Sequence, residues 1–273
     1  MLVDTHCHIN DMIKKNFDTP LEPNMFPLAQ TIIDDASKRE VTHIINVGTS
    51  LIESINCVEL AKRFEHAYAI VGIHPNDCTP GWRDDLHAIK KMVENKQQHK
   101  IVGIGECGLD FHYPDFDKQR QIDAFRAQIE LALDHSLALS IHSRDAADET
   151  LHVLHEYKND LRKGVFHCFS YDASIAREVL ALGFVLGIGG TLTYPKNEEL
   201  RTIVHSITLE EFILETDAPF LPPQHMRGKP NNPSEIRTIA EYIAKLREES
   251  FEKIAEHTTQ NAFRIFGINP ASI

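Results

Sequence analysis

Six short apolar runs in this chain each end in residues that can bind a metal or move a proton. They deliver His6 with His8, then His74, Glu106, His142 with Arg144, His167, and Asp217. Glu106 is the centre of the set. It closes the apolar start of IVGIGECGLDF (Ile101–Phe111), and Gly105 and Gly108 beside it leave space for backbone or ligand. A carboxylate at the end of a buried run needs a cation or a partner, because burying it alone is costly. His6 and His8 are two residues apart, so on a strand they share one face and form a divalent-metal pair, with Cys7 turned away. Four imidazoles (His6, His8, His142, His167) and two carboxylates (Glu106, Asp217) are too many for one four-coordinate ion. They suit two ions roughly 3.5–4 Å apart that share a carboxylate. The expected split gives His6, His8, Glu106 and Asp217 to one ion, and Glu106, His142 and His167 to the other.

Two such ions deprotonate a shared water near neutral pH and stabilise charge on a scissile phosphoryl or carbonyl group. Asp217 is the expected acceptor of that water's proton, and His74 the expected donor to the phosphate or leaving group. Arg144 carries two open readings: a forked grip on a phosphate oxygen, or a salt bridge to Asp145 or Asp148. Arg227 and Lys229, in MRGKPNNP, form a small cationic cluster that suits phosphate or is an ordinary solvated loop.

These side chains meet only if their strands converge. The chain repeats a short apolar strand, a polar strand end and an amphipathic helix eight times, with helices expected near Leu28–Arg39, Ser54–Phe64, Trp82–Glu94 and Lys118–His135. The late strands are KGVFHCFS, with Cys168 facing away from His167, then FVLGIGGT and FILETDAPF, and Glu235–Phe266 is expected to pack as helix on the outside. This order predicts a parallel (β/α)8 barrel spanning residues 1–273 as a single domain, with its chemistry at the C-terminal ends of the strands. A doubly wound open sheet is the rival, disfavoured because no GxGxxG follows the first strand. Asn10–Pro27, with three prolines, is expected to be a rim loop or lid.

Composition narrows the partners. A net charge of −12 makes the chain a poor candidate for a general nucleic-acid coat but does not exclude a phosphate substrate held locally. Five cysteines without a CxxC pair argue against a disulfide scaffold or a structural zinc ribbon. With no apolar run long enough to span a membrane and no secretory start, the expectation is a cytoplasmic protein without a membrane partner, and a monomer.

The motifs DTHCH (Asp4–His8), GIHP (Gly72–Pro75), GECGLDF (Gly105–Phe111), IHSRDA (Ile141–Ala146), FHCFS (Phe166–Ser170), ETDAP (Glu215–Pro219) and RGKPNNP (Arg227–Pro233) together resemble the TatD family of metal-dependent deoxyribonucleases. That resemblance implies a TIM barrel of the amidohydrolase type, with one or two divalent ions (Mg²⁺, Mn²⁺ or Zn²⁺). It implies metal ligation by His6, His8, Glu106, His142, His167 and Asp217, and hydrolysis of DNA, single-stranded or at 3′ ends, as a 3′–5′ exodeoxyribonuclease. Three departures touch the rim: Tyr171 where the motif continues to glycine, Asn232 where a glutamate is usual, and a long Asn10–Pro27 loop. The alternative from the same centre is hydrolysis of a C–N or ester bond in a small molecule, including an aminoacyl-tRNA ester.

Overall fold

The computed structural model describes residues 1–161 and 163–269. Eight strands run in parallel, each paired with the next in sequence: β1 (Leu2–Cys7), β2 (Val41–Val47), β3 (Ala67–Val71), β4 (Ile101–Asp110), β5 (Ala138–Arg144), β6 (Gly164–Phe166), β7 (Val185–Ile188) and β8 (Phe212–Leu214). The ring is completed between β8 and β1. There the Thr5 hydroxyl donates to Leu214 O at 2.8 Å, and Asp217 N donates to His6 O at 2.9 Å. This is the (β/α)8 barrel that the repeat predicts. The open sheet is excluded.

Two apolar cores explain its stability. One lies between the strands and the surrounding helices, where Leu60, Phe125, Phe166 and Ile239 are fully or almost fully buried. The other contains strand residues such as Val3, Ile45, Ile70, Val102 and Ile213, together with Phe263 and Phe266 from the helix Phe251–Phe266. The alternation of side chains along each strand separates the two.

Local signals set several boundaries. Ser50 accepts from Glu53 N, so the helix starts at Leu51, three residues before the expected Ser54. The expected single helical stretch Glu235–Phe266 is two helices, Ile236–Arg247 and Phe251–Phe266. Glu248 stops the first in a left-handed conformation, and Ser250 caps the second. Glu106 is also not at a strand end: β4 continues to Asp110 past a register break between Ile104 and Cys107. Asn10–Pro27 forms a rim segment with one short helix and one 3₁₀ turn. No helix among the described residues is long and apolar enough to cross a membrane.

Candidate metal centre

All the strand-end side chains come to one place, in and around a cavity of about 700 Å³ at the C-terminal mouth of the barrel, whereas Arg227 and Lys229 of the loop after β8 do not. Its floor is Glu106, nearly buried, with an imidazole on each side. Glu106 Oε2 lies 3.4 Å from His6 Nε2 and 4.0 Å from His8 Nε2, while Asp217 Oδ1 lies 3.4 Å from His8 Nε2 and 3.9 Å from His6 Nε2. Glu106 Oε1 faces the other way. It is 2.9 Å from His142 Nδ1 and 3.9 Å from His167 Nε2. The two oxygens of one carboxylate therefore face two sets of donors: Oε2 faces His6 and His8, and Oε1 faces His142, His74 and His167. His167 leans towards both, since its Nε2 is also 3.7 Å from Asp217.

Each imidazole has its second nitrogen occupied by the protein. His8 Nδ1 meets Val47 O at 2.8 Å, His6 Nδ1 meets the Ser140 hydroxyl at 3.3 Å and His142 Nε2 meets Asp110 at 3.0 Å by hydrogen bonds, and His167 Nδ1 lies 3.0 Å from Glu215 Oε1 as an ion pair without hydrogen-bond geometry. Anchoring one ring nitrogen on a carbonyl or carboxylate is how proteins orient histidines towards a metal. The mixture of imidazole nitrogen and carboxylate oxygen suits Zn²⁺ or Mn²⁺, and the carboxylates tolerate Mg²⁺. The residues present fit divalent ions.

The backbone makes room for this arrangement. Gly108 has φ +139°, and a Cβ there would stand 2.0 Å from His142 O, so only glycine lets β5 run this close to β4. A Cβ on Gly187 would meet Glu215 Oε2 at 2.4 Å, so the β7 glycine leaves space for the acid that holds His167. Asp217 takes a left-handed conformation (φ +56°), which turns its carboxylate inward past the end of β8.

Electrostatics in the nest are dominated by burial set against opposite charge. Burial alone would raise the Glu106 carboxyl, but the His142 hydrogen bond and the His167 charge hold it well below the usual carboxylate range. Asp217 is likewise lowered, against burial, by His8 and His167. Burial depresses the imidazoles, yet Asp217 brings His8 up to about 9, and Glu215 with Glu106 brings His167 up to about 10. His6 is lowered by burial, whereas His8 and His167, with Asp217 or Glu215 beside them, are raised.

His74 differs from the other four. Asn76 N–H donates to its Nδ1 at 3.1 Å, so the neutral ring carries its proton on Nε2, which points at Glu106 Oε1 from 3.8 Å. Arg144 lines the cavity, and among the described residues no carboxylate is within ion-pair distance of it. Its guanidinium lies 5.7 Å from the Tyr113 ring, and Asp145 pairs with His112 instead, at 2.8 Å. The salt-bridge reading of Arg144 is set aside. Arg227 stacks on Tyr194 at 4.4 Å, and it and Lys229 are exposed beyond the residues that line the cavity.

The sequence reading overlooked Asp110, which follows Glu106 by four residues on the same strand and so by alternation shares its face. It gave Glu215 no role. It also expected Cys168 to face away. Instead β6 ends at Phe166, Cys168 adopts φ +47°, and the residue lines the cavity beside His167 and Asp217. Strand alternation has no hold beyond a strand's last residue. Of the rim departures, Tyr171 bonds the Ser143 hydroxyl at 3.0 Å, and Asn232 caps a 3₁₀ turn through Ser234 N.

Comparisons with known proteins bear on the family and the fold. The chain is 37% identical over 269 residues to YabD of Bacillus subtilis, named an uncharacterized metal-dependent hydrolase, covering 98% of this chain and 100% of the relative. It is 31% identical over 243 residues to the 3′-5′ ssDNA/RNA exonuclease TatD of Erwinia tasmaniensis, covering 87% of this chain and 93% of that one. The crystal structure of the TatD homologue YjjV from Escherichia coli superposes with a TM-score of 0.88 at 28% identity, with 98% of each chain covered. The family described as TatD related DNase matches residues 3–267, and the chain belongs to this family of metal-dependent hydrolases.

Proposed function

We propose that this protein is a divalent-metal-dependent phosphodiesterase that trims DNA, acting on single strands or 3′ ends as a 3′–5′ exodeoxyribonuclease. The observation that carries this reading is the double nest built on Glu106, with an unpaired Arg144 at the rim of the same cavity. In this reading His6, His8, Glu106 and Asp217 hold one ion, and Glu106, His142 and His167 a second. Bound there, the ions would lower the pKa of water and neutralise charge on the phosphodiester. Asp217, already ionised in the nest, takes the proton from the attacking water. His74 donates its Nε2 proton towards the phosphate or leaving oxygen, because Asn76 fixes the tautomer that makes it a donor. Arg144 grips a non-bridging oxygen. Arg227 and Lys229, further out, draw the strand in by charge. Residues 1–273 are read as one hydrolase unit working as a cytoplasmic monomer.

The test is hydrolysis of 3′-labelled single-stranded DNA in Mg²⁺, Mn²⁺ or EDTA, by wild type and by Glu106→Ala. Metal-dependent shortening, lost in the variant, is the expected result. A metal-loaded wild type that leaves DNA and simple phosphodiesters intact would overturn the reading.

A second reading, hydrolysis of an aminoacyl ester or amide, is favoured by one feature. Asp11, Asp18 and Asp77 line one side of the cavity, and burial with the Asp18 charge pushes Asp77 up to about 6. An acidic wall suits a substrate amine. Turnover of aminoacyl esters without turnover of phosphodiesters would decide for it.

A further inference from the structure

Phe17 is 67% exposed, more than any other large apolar side chain among the described residues, yet the backbone around it is tied down. Lys14 pairs with Glu53, Asp18 N donates to Glu53 Oε1 at 2.8 Å, Leu21 N donates to Asn56 Oδ1 at 3.0 Å, and Asn56 Nδ2 donates to Thr19 O at 2.9 Å. Glu53 and Asn56 are buried on the helix Leu51–Arg63 and act as fixed anchors for this segment. A phenyl ring held out in water on an anchored loop forfeits burial that the core would supply. Across the junction of the ring, in the loop after β8, Phe220 is 44% exposed. It is held in the same manner: Asn231 Nδ2 donates to Phe220 O at 2.9 Å, and Phe220 N donates to Asp217 O at 2.7 Å. Its ring stands edge-on to His8, with centroids 5.9 Å apart. Both phenyl rings line the metal cavity.

Charge sorts the cavity mouth. Phe17 follows β1 and Phe220 follows β8, which are neighbours in the closed ring, and Asp18 stands beside Phe17. Arg144 ends β5, four strands from β1 and so on the far side. Within the cavity, outside which Arg227 and Lys229 lie, a polyanionic backbone is repelled from the Asp18 side and drawn to the Arg144 side. What remains for the aromatic side is an uncharged planar group. The geometry points to Phe17 and Phe220 as an aromatic clamp that stacks the unpaired terminal nucleobase of a nucleic-acid substrate while Arg144 holds its phosphate. This rests on the nucleic-acid reading above and adds the residues that grip the base. Stacking is tolerant of sequence, because every base presents a π face.

The test uses metal-loaded full-length protein and fluorescent single-stranded hexamers whose last linkage is a phosphorothioate, ending at 3′ in adenine or in an abasic sugar. Binding is read by anisotropy for wild type, Phe17→Ala and Phe17→Trp. Wild type is expected to prefer the adenine end by roughly tenfold, in the range that base stacking supplies. Phe17→Ala should fall to the abasic value on both strands, and Phe17→Trp should keep the preference. No preference in wild type, or a preference that survives Phe17→Ala, overturns the clamp. Hydrolysis of unmodified DNA by the same preparations separates the two ideas. Shortening without a base preference removes the clamp alone, and neither shortening nor binding removes both.

Discussion

The barrel buries histidines at both ends, and the groups beside each ring decide whether burial prevails. At the C-terminal mouth His8 and His167 are buried, yet carboxylates bring them up to about 9 and about 10. Near the start of β2, His43 is equally buried, against His66 at 4.8 Å and Phe263 at 5.1 Å, and its Nε2 has no hydrogen-bond partner. Burial, then His66 and Lys100, bring it down to about 4. Burial acts the same way at both ends; at the mouth carboxylates oppose it, enough to raise His8 and His167, while His6 and His74 stay below the usual range. A histidine becomes a cation-holding group through the carboxylate beside it, and on its own the interior makes it a neutral packing residue.

The comparison is broken most severely by removing the shared acid. Glu106→Ala should cost at least about 10³-fold in metal-dependent turnover, more than loss of an outer partner costs, and should lower bound metal measured by elemental analysis. Near-wild-type turnover would mean that Glu106 does not join the two nests.

Proton competition sharpens the contrast. His8 and His167 hold protons at pH 7 in the metal-free nest, so metal binding must expel them and affinity must rise with pH, by about tenfold per unit for each proton released. Calorimetry in buffers of different ionisation heat should detect the release in wild type. A pH-independent affinity between 6 and 8, read on the order of these units, would contradict the assignment.

Asp110→Asn tests whether an outer acid matters. Removing the charge behind His142 should cost roughly 10- to 100-fold in metal affinity or activity with the fold intact by circular dichroism.

At the opposite end the sign reverses. His43 has its folded pKa depressed from 6.5 to about 4, so its contribution to stability is fully present above pH 6.5 and is lost as pH falls towards 4. Urea unfolding should show wild type losing about 2 kcal/mol more than His43→Leu over that window. Equal losses would mean that His43 does not titrate on unfolding.

The smallest effects belong to the rim. Arg144→Ala should raise KM for DNA by about tenfold, whereas Arg227→Ala, outside the cavity, should change it by no more than about twofold. Equal effects would place the phosphate path elsewhere.

Much of the candidate site was legible because each candidate ligand follows a short apolar run, and period-two alternation names the face. The shared face of His6 and His8, and the position of Glu106 among the histidines, could be read that way. Asp110 was readable by the same alternation, but taking Glu106 for a strand end hid it. Cys168 was not readable. Its orientation depends on β6 ending two residues earlier and on a left-handed turn, which a short apolar run does not announce. Nor could composition separate the two Arg144 readings, since His112 competes for Asp145 only once the strands are in place.

The sequence by itself determined the barrel, through eight repeats of strand and helix, and determined which residue types reach its mouth, because local periodicity is a property of neighbours in the chain. Only the tertiary structure decided which nitrogen of each histidine faces the cavity, which acid stands behind it, and that Phe17 stays in water on an anchored loop. Those outcomes depend on Val47 O, Ser140, Asp110, Glu215 and Glu53 arriving from other strands and a helix. Such contacts form between residues far apart in sequence, where no local pattern can specify distance or direction.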